Sequence, residues 1–188
     1  SDCDSSACGN GCDGIGDGCD GGSCSDDPWR LFAGDPLGLT IGGWSNLGYH
    51  SANTNFSFNN YADHLQLQQQ WFYVEKIADG SCGLGFGGRM DYVYGTDAPD
   101  TQAFGPANGT WDQSWDNGGA YGHAIPQLYG EVAYGDLSVK AGHFFTIIGN
   151  EVVAATGNFF YSRQLTFYNS EPFQHTGALT TYKLDDDT

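Results

Sequence analysis

Four glutamates, Glu75, Glu131, Glu151 and Glu171, are the residues best suited to covalent chemistry, since two carboxylates flanking a glycosidic bond can act as acid and base. Their spacing fixes no pair at a working separation, so they read as solvated carboxylates of strands and loops. Gly83-x-Gly85-x-x-Gly88 and Gly16-x-Gly18-x-x-Gly21 spell a dinucleotide fingerprint. The first lies inside an alternating strand pattern and the second in a stretch without periodicity. Neither offers the strand–turn–helix context that would aim backbone N–H groups at a pyrophosphate. No H-E-x-x-H, G-x-S-x-G or P-loop pattern occurs, and the five histidines are scattered. The expectation is a protein that is not an enzyme, with no catalytic residue, metal or cofactor.

The elements that would position any site are set by composition. The chain has 188 residues, 15% aromatic and only 15% charged, with 29 glycines, six lysines or arginines and a formal charge of −17. Such acidity argues against binding nucleic acid by neutralising phosphates. Glycine, tyrosine, phenylalanine, asparagine and aspartate are weak helix formers, so helical architectures are disfavoured. There is no apolar run long enough for a transmembrane helix, although a β-barrel needs none.

Residues 1–28 form a Cys/Asp/Gly-rich acidic tail. Its first 27 residues hold seven aspartates, no lysine or arginine, and five of the six cysteines (Cys3, Cys8, Cys12, Cys19, Cys24). With Ile15 as its one large aliphatic residue, it cannot offset its chain entropy by burial, so it reads as a disordered or disulfide-cross-linked spacer. The cysteine density suits an oxidising, extracytoplasmic compartment. The spacings lack a C-x2-C pair for zinc, and the aspartates miss the glycine and glutamate positions of an EF-hand. A second domain, 29–188, begins near Trp29.

From Leu37 onward, side chains alternate with period two, which predicts strands. In 82–95, Leu84, Phe86, Met90, Tyr92 and Tyr94 share one face, and Gly83, Gly85, Gly87, Arg89 and Asp91 the other. In 64–76, Leu65, Leu67, Trp71 and Tyr73 oppose His64, Gln66, Gln68 and Gln70. In 126–134, Leu128, Val132 and Tyr134 oppose Gln127, Tyr129 and Glu131. In 137–147, Leu137, Val139, Ala141 and Phe145 oppose Ser138, Lys140, Gly142 and Thr146. In 38–49, Leu39, Ile41, Leu47 and Tyr49 alternate with Thr40, Gly42 and Asn46, while Trp44 falls on the polar side. A sixth run covers 174–184.

Connections alternate long and short. Short turns at Ala78–Ser81, around Asp79-Gly80, and at Gly135-Asp136 separate long segments at 50–61, 96–123 and 148–173. Long irregular loops are uncommon inside compact domains, whereas outer-membrane barrels pair short turns with long external loops. Strands of nine residues or more suit a tilted bilayer crossing, and aromatic residues toward strand ends suit the membrane interface. The fold expected is therefore all-β: an antiparallel meander of about six strands from a transmembrane β-barrel. The alternative is a secreted β-sandwich that binds carbohydrate through Trp111 and Trp115.

Several segments resemble the planctomycete-type outer-membrane porins of the β-barrel porin-2, OmpL-like family: Gly87–Asp97, Pro126–Tyr134, Leu137–Glu151 with its Gly142-His143-Phe144-Phe145-Thr146 core, Asn158–Ser162 and Glu171–Gly177. Ile147 stands where the family pattern carries proline. The resemblance covers about 30–188 and implies the N-terminal part of a pore-forming barrel about twice as long. Six strands are too few for a closed single-chain barrel, for which eight is the usual minimum. The chain is therefore expected to be a fragment lacking a leader and later strands.

On this reading the protein resides in the bacterial outer membrane. Its partners are outer-membrane lipid and small hydrophilic solutes or ions, which diffuse passively through a water-filled channel. A homo-oligomer, and disulfide cross-links through the tail, are compatible with it. Arg89, Asp91, Glu131 and Lys140 fall on polar strand faces and are expected to line the pore. Glu151, Arg163 and Glu171 lie in the long 148–173 segment, which is expected to fold inward as a constriction loop. Net acidity favours cations.

Overall fold

In the computed structural model the described residues are 37–53, 58–103, 109–116 and 118–184. The tail and its five cysteines lie outside them, as does the boundary near Trp29. Six antiparallel strands form one sheet in sequence order. They are β1 (Leu39–Gly48), β2 (Gln66–Lys76), β3 (Leu84–Gly95), β4 (Gly122–Tyr134), β5 (Leu137–Phe145) and β6 (Gln174–Tyr182). This is the meander expected from the alternation, and the sheet is open, with β1 and β6 at its two edges. Short helices α1 (Ala98–Thr101) and α2 (Leu165–Ser170) lie in the long connections.

The two short turns differ. At Gly135-Asp136 the strands join directly, with Gly135 at φ +56, a left-handed conformation that glycine adopts without strain. The other turn is not centred on Asp79-Gly80. The Gly83 N–H donates to the Gly80 carbonyl at 3.2 Å, and the Gly135 N–H donates to the same oxygen at 3.0 Å. One carbonyl thus ties the two turns together.

One sheet face carries Trp44, Trp71, Val93 and Ala124. We name it the inner face, because Val153, Phe167 and Phe173 from the last long connection bury themselves against this set. Trp44 and Trp71 stack at 4.8 Å, which explains why Trp44 stands on the otherwise polar side of β1. The outer face carries Leu39, Ile41, Phe72, Val74, Phe86, Met90, Val132 and Val139, all exposed.

Alternation places the faces of β1 and β3 correctly but misplaces half of β2. Leu47 pairs with Leu67 and Asn46 with Gln69, so Gln68 is an extra residue in a β-bulge. A bulge shifts the side-chain phase by one residue. Leu65 and Leu67 therefore share the outer face with Phe72 and Val74, while Trp71 and Tyr73 point inward. A second irregularity separates Asp91↔Gln127 from Val93↔Ala124, leaving Ile125-Pro126 as the bulged pair of β4. Proline lacks the N–H that a regular ladder needs, and bulges are where strands tolerate it. Phe145, expected beside Leu137 and Val139, instead packs on Trp71 with ring centroids 6.2 Å apart.

Trp71 is fully buried at the centre of this packing. Replacing it with alanine is expected to cost about 3–5 kcal/mol. The urea midpoint for unfolding, followed by tryptophan fluorescence, should fall accordingly, and by less for Trp44→Ala.

Candidate functional site

The inner face concentrates the polar groups of the sheet. Register places Glu75, Arg89 and Asp91 on it from β2 and β3, and Glu131 opposite Lys140 from β4 and β5. The four charged strand residues singled out from sequence thus share one face. Arg89 is not a free cation, however. Its Nε donates to Asp91 Oδ1 at 2.6 Å, its Nη2 to Asp91 Oδ2 at 3.1 Å and its Nη1 to Glu75 Oε2 at 3.2 Å. Asp91 also accepts from Trp71 Nε1 at 2.8 Å, so this fully buried carboxylate is held on both sides.

Aromatic rings carry the cations. The Arg89 guanidinium lies 4.5 Å from the centre of the Tyr73 ring, and Lys140 Nζ lies 4.3 Å from the Tyr129 ring. Tyr73 lies across Gly42 of β1, where a Cβ would come within 2.5 Å of the phenol carbon. The ring occupies the space of a side chain there, so any Cβ at this position would have to displace it.

The 148–173 segment docks on this face through Gln69. The Gln69 amide is fully buried and uses all of its hydrogen-bonding capacity. Its Oε1 accepts from Trp44 Nε1 at 3.2 Å and from the Ala155 N–H at 2.9 Å. Its Nε2 donates to the Val153 carbonyl and to Asp97 Oδ2, each at 2.9 Å. Arg163 donates Nη2 to the same Val153 carbonyl at 2.8 Å and lies 5.3 Å from the Phe58 ring centre. Phe58 is held at φ +62, strained for a bulky residue. Its N–H donates to Asp100 Oδ2 at 2.7 Å, and its ring sits 5.9 Å from both Phe167 and Phe173.

The three expected loop residues do not converge. Arg163 faces Asp97 and Val153. Glu151 accepts the Gln164 N–H at 2.7 Å. Glu171 sits at the base of the loop against Gly149, one carboxylate oxygen buried without a partner. Gln69 and Asp97 are the functional candidates that alternation missed. Gln69 lies just past the bulge, where the phase changes, and Asp97 caps a four-residue helix with no periodicity of its own. Among the described residues no group of three or more histidines, cysteines, aspartates or glutamates is placed to hold a metal ion. Glu75 and Glu151, candidates for a catalytic pair, are engaged with Arg89 and the Gln164 N–H respectively.

Burial pushes the Asp97 carboxyl up to about 7, opposed by the Gln69 hydrogen bond and the Arg163 charge and reinforced by Asp100. Burial lowers the Arg163 pKa, against the attraction of Asp97 and Glu151.

Two outcomes follow for the docked segment. Gln69→Leu removes all four bonds and should expose the Arg163 peptide bond, read as at least a tenfold faster tryptic cleavage there. Asp97 is protonated more readily folded than unfolded, so its contribution falls as pH rises from about 4 to about 7 and stays at its minimum above that. Asp97→Asn should flatten that slope and raise the melting temperature at pH 8 relative to wild type. The change is bounded by about 4 kcal/mol, which corresponds to about three pKa units.

A family model described as "Putative beta-barrel porin-2, OmpL-like" matches residues 38–188. Searches of curated proteins and of solved structures gave no match.

Proposed function

The chain belongs to the β-barrel porin-2, OmpL-like family, and on that premise we propose that it forms part of an outer-membrane pore for passive diffusion of small hydrophilic solutes and ions. The observation that carries this reading is the contrast between the two sheet faces. The outer face exposes a continuous set of apolar side chains, from Ile41 and Val74 through Met90 and Leu128 to Val139. An exposed apolar surface of that extent needs a non-aqueous neighbour. Tyrosines bound it, with Tyr92 and Tyr94 toward the long loops and Tyr134 and Tyr182 at the turn ends. Tyrosine favours the interface between headgroup and hydrocarbon. The 12 residues of β3 span roughly 40 Å, and a tilt of about 45° brings this to roughly 28 Å, close to the hydrocarbon thickness.

The inner face then lines water. Glu75, Asp91 and Glu131 outnumber Arg89 and Lys140 there, which favours cations near the wall. The segment docked through Gln69 narrows the lumen, with Arg163 and Glu151 at the constriction. Transport on this reading needs no covalent step. Unpaired edges at β1 and β6 are prohibitive in lipid and must be covered by further strands. A β-sandwich would need a second sheet against the apolar face, and the described residues form one sheet.

Zero-current potentials in asymmetric potassium chloride across a planar bilayer test the assignment. Lys140→Gln should raise the cation preference and Glu131→Gln should lower it. An anion-selective potential unchanged in both variants would reject it.

A further inference from the structure

Pairing between β4 and β5 stops at Leu128↔His143, although both strands continue toward the loops. Backbone groups that would extend the ladder are taken elsewhere. The Ile125 N–H donates to Asp112 Oδ2 at 2.7 Å, and the Ile125 carbonyl accepts from Trp111 Nε1 at 2.9 Å. Pro126 has no N–H, and the Phe145 N–H is satisfied by the Gln127 side chain at 3.2 Å. The strands therefore splay, and a cleft of about 670 Å³ opens, lined by Trp111, Leu128, His143, Phe173 and Thr176 among others.

Three features of the cleft point to a ligand. His143 is 6% exposed, and its buried Nε2 makes no hydrogen bond within 3.5 Å, although the Gln174 side chain, which also lines the cleft, interacts with the ring. Its Nδ1 pairs with Thr176 Oγ1 at 2.8 Å. With the threonine hydroxyl donating, the ring proton sits on Nε2 and is left to donate. Trp111 is held at φ +56, with its ring 5.2 Å from His143 and 41% exposed. Finally, Leu128 also borders a second, shallower groove of about 570 Å³ beside Val74, Phe86, Gly88 and Met90. Gly88, Gly130, Ala141 and Ala178 pair in register across four strands, two residues beyond the His143 row. They leave a notch across the outer face, roughly 7 Å along the strand from that row.

We propose that the cleft seats one membrane lipid: its polar linkage takes the His143 Nε2 proton against Trp111, and one acyl chain runs past Leu128 into the notch. The inference rests on the barrel reading, which puts the outer face in the bilayer. A lipid fits better than a dissolved solute because the cleft is continuous with that apolar face and its walls are mainly apolar. The polar groups stand at the loop end, where the interface lies. Asp112, fixed by the Ala103 and Ile125 N–H groups, exerts its negative charge on the histidine, so the group bound is an uncharged ester or hydroxyl rather than the phosphate.

Native mass spectrometry of the full protein extracted in mild detergent tests this, with conductance of the same preparation measured in parallel. The expected result is one retained phospholipid mass per chain. It should fall at least fivefold in His143→Leu and in Trp111→Phe, and by a smaller factor in Thr176→Val. Trp115→Phe should leave it unchanged. A conducting wild-type protein without a lipid adduct, or with an adduct equal in every variant, overturns the lipid seat and leaves the pore reading standing. An adduct with the mass of a sugar or a second chain overturns it in favour of that occupant. A protein that does not conduct fails the pore reading, and the lipid seat fails with it.

Discussion

The arrangement depends on one buried amide. Gln69 stands where β1, β2, the cap of α1 and the last long connection meet, and each of its four hydrogen-bonding positions is filled by a different partner. A primary amide removed from water is costly unless fully paired, and losing one partner leaves a buried group unsatisfied. The four contacts are therefore coupled: the loop docks where Trp44 is stacked and Asp97 is enclosed, and Asp97 can be enclosed because the amide meets it. The hydrophobic set around Trp71, Phe58 and Phe167 supplies the bulk of the burial, but it is not directional. The amide selects the position within it.

Two bulges give the sheet its division of labour. The extra residue at Gln68 turns Trp71 and Tyr73 inward while keeping Leu65 and Leu67 outward. A polar, aromatic wall and an apolar wall thus run the length of β2. The irregularity at Ile125-Pro126 frees backbone groups that the preceding loop takes up through Trp111 and Asp112. In both places a local loss of ladder hydrogen bonds is offset by side-chain bonds to the displaced residues.

Much of this was legible in the sequence. All six strands and the Gly135-Asp136 turn follow from alternation and spacing, while the other short turn lies a little further along the chain than Asp79-Gly80. The faces of β1 and β3 do as well, because neither contains an inserted residue. What escaped was non-local. A bulge is one residue's worth of phase, and the run Gln68–Gln70 gives no apolar marker against which to notice it. Arg89 and Asp91 are two apart on a strand, so their neighbourhood on one face was readable, but the third member of the ion group, Glu75, depends on register across β2 and β3. Asp97 gains its character from burial by segments more than 50 residues further on.

The glycine beneath Tyr73 has a geometric consequence. A phenol ring lying flat on the wall is a spacer of fixed thickness, and Arg89 rests on top of it. The height of that charge above the sheet is therefore set by a residue on a neighbouring strand that has no side chain at all. Adding a methyl group at Gly42 would push the ring away from the sheet and displace the guanidinium with it, without altering a single charge. The relief of this face is set as much by what is missing from β1 as by what projects from β3.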